Sequence, residues 1–204
     1  MENTTNNDVA EAPPAAAAEV ASAAAFDREQ AAAIILTWPD ESLTTQAARW
    51  LWAHLRPDRI WTVRAKGGVD VVRCRVAADL CLKAPPEVQE FIFMDRDMRP
   101  DAAADPFLLA AGDVVACQYP VPDMRSWAGP GAMHMGLVRV RRKVLETLAA
   151  ERDAQGQPIP LFFFPRTPNG SRITACECAW FAGRVRKAGH KIVRAGWCGH
   201  DLDK

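Results

Sequence analysis

The chain has 204 residues, with 25 Lys and Arg against 25 Asp and Glu, and 49% of its residues are hydrophobic. This length suits one domain, with or without a tail, and no apolar run approaches the roughly 20 residues that a membrane-spanning helix needs. The composition therefore argues against a membrane protein and predicts a soluble, cytoplasmic protein without a membrane partner.

Residues 1–28 are predicted to form a disordered tail, and residues 29–204 a single domain. The first 30 residues carry six acidic residues against one Arg, and most of their apolar residues are Ala. Such a segment buries too little apolar surface to offset the entropy that it would lose on ordering. It also lacks the basic start of a secretory signal, so we expect the six cysteines to be free thiols.

Strands and helices alternate along the first half of the chain. Residues 32–37 predict a strand, 42–55 a helix, 59–63 a second strand and 70–82 a second helix. Four apolar residues at 91–94 then indicate a short strand that is buried on both faces. This alternation is typical of an α/β fold in which a parallel sheet has helices on both faces.

The second half of the chain continues with shorter apolar runs and two further helices. The first of these helices is predicted at 142–151. Short strands are predicted at 113–119, 136–140, 161–164 and 191–195.

The last helix has well-marked predicted boundaries. Thr174 and Glu177 form a Ser/Thr-x-x-Glu capping box, in which each side chain binds a backbone N–H group of the first turn. Gly189 follows the apolar stripe and suits the left-handed residue that ends many helices. The capping box favours a structural role for Glu177.

Asp95 and Asp97 directly follow the apolar run at 91–94. In open α/β sheets, ligands bind at the carboxyl ends of the strands. Two carboxylates that flank one residue can share a hard divalent cation, which in turn can hold a diphosphate. The pair therefore favours a nucleotide-dependent enzyme, and the alternative is an acidic turn, because Asp is common in turns.

Five blocks of sequence, in this order, resemble one enzyme family. They read FIFMDRDMRPD, DVVACQYP, GLVRVRRKVLE, ECAWFAGRVRKAGHKI and WCGH. They resemble the Asp-x-Asp strand, the next strand, the Gly-led strand with its helix, the Glu-Asp helix and the terminal histidine of nucleotide-sugar glycosyltransferases. The likeness is to the GT-A fold and glycosyltransferase family two, in particular to the short versions that phages often carry, and it spans residues 32–200.

The resemblance implies a GT-A, Rossmann-like mixed sheet that is mainly parallel, and the transfer of a sugar from a nucleoside-diphosphate donor. It implies that Asp95 and Asp97 face a divalent metal and the donor, and that His200 approaches the same metal. An imidazole ligand suits Mn²⁺ better than Mg²⁺. For a phage-carried protein the site of action would be the host cytoplasm. The further positions that it implies at the nucleotide are Thr37, Pro39 and Arg75.

Glu177 and Cys178 stand where the family has its Glu-Asp pair, whose Asp is usually the catalytic base. A thiol with a reference pKa near 8.5 is a poor substitute for that base. Three alternatives follow. The enzyme transfers the sugar with retention of its configuration and without this base, or it recruits another carboxylate such as Asp101 or Asp123. The third alternative is a catalytically impaired binding protein.

Two further patterns point to other ligands. Cys176, Cys178, Cys198 and His200 offer three sulfurs and an imidazole for a structural zinc ion, although their one-residue gaps are shorter than usual zinc spacings.

From residue 139 onward the chain carries thirteen Lys and Arg against six Asp and Glu. Phosphate contacts need such residues, so a modified DNA base is one candidate acceptor. The alternative is that the cations, above all those at 184–194, cover a solvated helix face.

Overall fold

The computed structural model describes residues 26–37, 43–120 and 133–200, and in these residues eight strands and five α-helices are formed. The predicted tail lies, up to residue 25, outside the described residues. The strands are β1 (Ala31–Thr37), β2 (Ile60–Arg64), β3 (Glu90–Asp95), β4 (Met98–Arg99), β5 (Val114–Gln118), β6 (Leu137–Arg141), β7 (Ile192–Trp197) and β8 (Gly199–His200). The helices are α1 (Thr45–His54), α2 (Val69–Val76), α3 (Pro106–Leu109), α4 (Arg142–Ala150) and α5 (Glu177–Lys187).

Six of these strands form one mixed sheet in the order β2-β1-β3-β6-β5-β7. β1 runs parallel to β2 and β3, and β5 runs parallel to β7, whereas β6 is antiparallel to both of its neighbours. The prediction of a mixed, mainly parallel sheet is confirmed. β4 and β8 form a separate antiparallel ribbon, which the sequence analysis did not predict.

Helices cover both faces of the sheet, because β1 and β3 are apolar on both sides. Successive side chains of a strand point to opposite faces, and all seven residues of β1 are buried. Ile34 and Leu36 pack in the layer of α2, α4 and α5. Ala33 and Ile35 pack in the layer of α1 and α3. The fold therefore has three layers, and a residue's position in its strand decides which layer it joins.

The apolar run at 161–164 does not form a strand, so this prediction is wrong. Phe162 instead stacks on Phe181 of α5 at 4.7 Å between ring centroids. Its backbone N–H and carbonyl groups bind the sulfur of Cys74 at 3.1 and 3.0 Å. The run is apolar because two of its residues, Leu161 and Phe162, fill the core.

The capping box predicted for α5 is also wrong, although the predicted end of the helix is confirmed. The N-cap is Cys176, whose sulfur accepts a hydrogen bond from the Ala179 N–H group at 3.3 Å. At the other end, Gly189 has φ of 79°. The N–H groups of Gly189 and His190 bind the carbonyls of residues 186 and 185 at 2.9 and 3.0 Å. This is the Schellman arrangement.

Within the described ranges, none of the helices combines the length and the apolar character needed to cross a membrane.

Candidate functional site

A cleft of about 590 Å³ opens where β1 and β3 end and α2 and α5 begin. The parallel register sets Leu36 of β1 beside Asp95 of β3, so the aspartate pair lies at the carboxyl edge of the sheet, as expected. The cleft is lined by Leu36, Gly67, Gly68, Val69, Arg73, Asp95, Arg96, Asp97 and Glu177.

Arg73 of α2 links the two acidic segments of this cleft. Its side chain is 2% exposed and donates hydrogen bonds to both carboxylate oxygens of Asp95, at 2.7 and 2.9 Å. Its other terminal nitrogen donates to Oε1 of Glu177. One terminal nitrogen of Arg73 makes both bonds to Asp95, and such charge-assisted hydrogen bonds are roughly twice as strong as neutral ones. Arg73 therefore locks the end of β3 to the start of α5.

Burial and charge act in opposite directions on these groups. Burial raises the pKa of Asp95 above its usual range, and the Arg73 guanidinium opposes that rise. Burial works to lower the pKa of Arg73, but the negative charges beside it outweigh burial and raise that pKa. Arg73 therefore stays a cation inside the protein.

Asp97 and His200 meet in the turn after β3. The ribbon of β4 and β8 pairs Met98 with His200, which brings Nε2 of His200 to 3.4 Å from Oδ2 of Asp97. Nδ1 of His200 lies 3.1 Å from the carbonyl oxygen of Pro120, so the neutral ring carries its proton on Nδ1. The lone pair of Nε2 then faces a carboxylate oxygen, and two acceptors need a proton or a cation between them.

The donor chemistry of this pair fits a divalent cation. Oδ1 of Asp97 is buried and has no hydrogen-bond partner among the described residues, and an imidazole nitrogen with a carboxylate oxygen suits Mn²⁺. Across the described ranges no three His, Cys, Asp or Glu side chains are arranged to hold a metal. Asp95, expected as a third ligand, has both oxygens engaged by Arg73. The protein thus offers two ligands, and a diphosphate and water would complete the set.

Glu177 lines this cleft, and the buried Cys178 follows it in the first turn of α5. The Cys178 thiol donates to Oε1 of Glu177 at 3.4 Å. The pKa of Cys178 is raised well above its ordinary value by the hydrogen bond with Cys176 and by burial. The raised pKa favours the protonated thiol at neutral pH, which is the form that cannot accept a proton.

A second histidine, His134, packs against the same tyrosine as His200. Tyr119 packs edge-on against His200 at 5.3 Å and against His134 at 6.1 Å between ring centroids. Nε2 of His134 is buried and without a hydrogen-bond partner in the part of the chain that the structure describes. Burial lowers the pKa of His134, although the charge of Glu177 opposes this. His134 is therefore a neutral imidazole with an unused nitrogen.

Tyr119 is held in place by Gly136 at the start of β6. The Gly136 N–H group donates to Oη of Tyr119 at 2.9 Å, and its carbonyl accepts from the Asp95 N–H group at 2.8 Å. A Cβ atom at Gly136 would lie 2.5 Å from Oη of Tyr119 and 2.9 Å from the sulfur of Met98. Only glycine permits this close approach.

The other predicted site residues are placed less favourably. Thr37 is buried at the end of β1, where its carbonyl accepts from the Ala65 N–H group at 2.7 Å. Arg75 lies exposed on α2, and the arginine that reaches the cleft is Arg73. Asp101 caps a short 3₁₀ turn by accepting from the Ala103 N–H group at 2.8 Å. Pro39 and Asp123 lie outside the described residues.

The sequence contains a pattern that predicts the buried position of Arg73. Val69, Val72 and Val76 stand at positions i, i+3 and i+7 of α2, and Arg73 occupies i+4. Those positions share one helix face. A charged residue within an apolar face predicts a buried cation that needs an acidic partner.

The four residues proposed for zinc do not come together. Cys176 and Cys178 lie in the layer of α5. Cys198 lies in the layer of α1 and α3. The sheet separates Cys198 from the other two cysteines, and no group of three possible ligands is formed in the described residues, so the zinc hypothesis is wrong.

The basic residues at positions 139–143 bind other parts of the protein. Arg139 binds Glu90 at 2.9 Å, and Lys143 binds Asp113 at 2.6 Å. The guanidinium of Arg142 is buried and donates to four backbone carbonyls, those of residues 82, 84, 85 and 88, at 2.7 to 3.5 Å. These cations are engaged within the protein, which removes part of the support for a DNA acceptor.

This chain is similar to known proteins in structure and not in sequence. No family model matches the sequence, and no curated protein matches it. The crystal structure of A197 from STIV superposes with a TM-score of 0.57 at 16% sequence identity, covering 85% of this chain and 86% of that one. A glycosyltransferase involved in the glycosylation of the major capsid of PBCV-1 superposes with a TM-score of 0.50 at 10% identity, covering 85% and 94%. The chain therefore has a GT-A-like fold, a six-stranded mixed sheet whose carboxyl edge carries the acidic cleft.

Proposed function

We propose that this chain is a metal-dependent glycosyltransferase that takes a sugar from a nucleoside-diphosphate donor. The observation that carries the proposal is the pair formed by Asp97 and His200, two acceptors 3.4 Å apart at the carboxyl edge of the sheet. The buried and unpartnered Oδ1 of Asp97 supports it, and so does the likeness in fold to a glycosyltransferase.

Each group of the cleft has a part in this proposal. Asp97 and His200 would hold a divalent cation, which would supply Lewis-acid neutralisation of a diphosphate leaving group. Arg73 keeps Asp95 and Glu177 in fixed positions, and a fixed, preorganised electrostatic environment lowers the barrier to charge separation.

If the transfer inverts configuration, the acceptor side needs a group that removes a proton, and His134 fits this role best. Cys178 is a protonated thiol, and Glu177 is bound to Arg73. His134 is neutral, and its ring, like that of His200, packs against Tyr119. A neutral imidazole is the commonest general base in enzymes, so we assign the base to His134 in place of the family's aspartate.

The test is binding of nucleoside diphosphates to the full chain, measured by thermal stabilisation with and without Mn²⁺. A ligand that binds the native state raises its stability by about 2.7 kcal/mol at a hundredfold excess over Kd. We expect stabilisation by at least one nucleoside diphosphate only with Mn²⁺, its loss in Asp97→Asn and its persistence in Arg75→Ala.

Two other results would be informative. Stabilisation without turnover of any nucleoside-diphosphate sugar would favour the impaired binding protein, for which Cys178 in place of an aspartate is the supporting observation. No stabilisation by any nucleoside diphosphate at about millimolar concentration would contradict the proposal, since this range covers weak substrates.

A further inference from the structure

A second groove, of about 330 Å³, lies on the exposed side of α5. Ala179 and Gly183 of α5 line it together with Trp180, Lys187 and Pro165. None of its lining residues also lines the acidic cleft. A Cβ atom added at Gly183 would meet nothing within 4 Å, so the groove is open above the helix.

Trp180 gives this groove an aromatic wall that is fixed in place. Its indole N–H group donates to the carbonyl of Pro160 at 3.1 Å. The ring of Phe163 packs edge-on against it, with 5.5 Å between the ring centroids, and Phe163 is itself 40% exposed. A ring that is held by a hydrogen bond and a second ring loses little freedom when a ligand stacks on it.

The surface around the groove is strongly basic. Residues 154–194 carry seven Lys and Arg and one acidic residue, Glu177, which lines the other cleft. Lys187 lines the groove, and Arg166 directly follows Pro165 of its wall. In the part of the chain that the structure describes, neither of these two cations pairs with a carboxylate. Such a surface attracts an anionic ligand.

The hydrogen-bonding groups of the groove distinguish between anionic ligands. Its polar side chains, those of Trp180, Arg184 and Lys187, are donors with no acceptor among them. Sugar hydroxyls donate as well as accept, so an acidic glycan would find no side-chain partner here for its hydroxyl protons. Phosphate oxygens only accept, and the faces of unpaired bases stack on aromatic rings whatever their sequence. This combination favours a nucleic acid strand over a glycan.

We propose that this groove binds single-stranded nucleic acid, with a base stacked on Trp180 and the adjoining phosphates beside Lys187 and Arg166. A duplex fits less well, because its bases already stack on each other and their faces are closed. The proposal does not depend on the proposed function, since binding in this groove needs neither a sugar donor nor a metal ion.

The experiment titrates the full chain into fluorescein-labelled oligo(dT) and oligo(U) of about twelve nucleotides, a length within the usual site size. Anisotropy is followed at low salt in EDTA. We expect at least one strand to bind, the tighter one identifying the nucleic acid, and a duplex of the same length to bind more weakly. Trp180→Ala should weaken binding at least about fivefold, the lower end for loss of one stacked base. Trp52→Ala is the matched control, because Trp52 is 63% exposed on α1, and it should leave binding unchanged.

The contribution of charge is tested by a second pair of variants. Lys187→Gln should weaken binding and reduce the slope of log affinity against log salt by about 0.7, the value for one phosphate contact on a single strand. Lys83→Gln removes the same charge from an exposed pair with Asp79, and it should leave the affinity and the slope unchanged.

A third measurement on the wild type keeps the proposal testable if Trp180→Ala fails to fold. Irradiation with a strand that carries 5-iodouracil should crosslink the peptide that holds Trp180 or the one that holds Phe163. A crosslink confined to other peptides, or no binding at low salt, would overturn the proposal. So would equally tight binding of a sulfated glycan of the same charge, if Trp180→Ala changes neither affinity, because the surface would then attract anions by charge alone.

Discussion

Arg73 is the buried charge on which both the core and the cleft depend. It lies on the apolar face of α2, where an unpaired cation would be very costly, and it is bound by Asp95 and Glu177. A buried ion pair adds little to the free energy of unfolding. Removing one of its members lowers that free energy strongly, because the remaining charges stay buried without a partner.

We therefore predict that Arg73→Ala lowers the free energy of unfolding by about 3 kcal/mol, the lower end of the range for a broken buried ion pair. The lower end applies because the Asp95 side chain keeps 35% of its surface exposed. Urea unfolding at pH 7 measures the loss. Arg75→Ala, two residues away on the exposed side of α2, is the matched control and should change stability by less than about 0.5 kcal/mol. Equal losses in both variants would contradict the assignment.

His134 is the residue on which the proposed acceptor chemistry depends. If it is the base, His134→Gln should lower turnover of the donor by about 10²- to 10⁴-fold and leave donor binding with Mn²⁺ unchanged. His54→Gln is the control, because His54 lies on α1 and pairs with Asp105 at 3.2 Å in the other layer. Unchanged turnover in His134→Gln would exclude His134 as the base.

Among the helices and strands, α5 has a C-terminal end that is specified by a glycine. Gly189 adopts a left-handed backbone with φ of 79°, a conformation that costs a residue with a Cβ atom roughly 1–2 kcal/mol. Gly183 lies within the same helix, and a Cβ atom there would meet nothing within 4 Å.

The same substitution should therefore have opposite effects at these two positions. We predict that Gly189→Ala lowers the free energy of unfolding by about 1 kcal/mol. Gly183→Ala should raise it by roughly 0.5–1 kcal/mol, because alanine loses less backbone entropy in a helix. Urea unfolding of both variants beside the wild type measures the difference, and changes of the same sign would show that the helix end is not the cause.

The ribbon of β4 and β8 is the element that brings Asp97 and His200 together. Two-residue strands carry almost no sequence signal, since their formation depends on a partner about 100 positions away. The sequence analysis therefore predicted His200 at the metal only through the resemblance, and the ribbon supplies the physical reason why it lies beside Asp97.

At the scale of the whole molecule, His134 links stability to pH. Burial holds the pKa of His134 in the folded protein below the ordinary 6.5. Below about pH 6.5, His134 therefore binds a proton in the unfolded chain but not in the folded protein. The contribution of His134 to stability is thus full above pH 6.5 and is lost as the pH falls toward its lower folded pKa. The nearby charge of Glu177 limits the shift.

This pH dependence can be isolated by difference. We expect the stability of the wild type relative to His134→Gln to fall between pH 7.5 and pH 5, with a slope of up to about 1.4 kcal/mol per pH unit. Urea unfolding of both proteins at several pH values measures it. Parallel stability curves over this range would show that His134 titrates alike in the folded and unfolded chains.

Local sequence patterns are enough to predict the alternating strands and helices, the position of Asp95 and Asp97 at the end of β3, and the glycine that ends α5. These features depend on apolar periodicity and on backbone preferences over a few neighbouring residues, which are local properties. Only the three-dimensional fold shows that Arg73, and not Arg75, enters the cleft, that Glu177 binds it across 104 positions of sequence, and that Cys178 and Cys198 lie on opposite faces of the sheet. Such contacts follow from strand register and from the face of the sheet on which each side chain lies, and no local pattern records which distant residues a three-layer fold brings together.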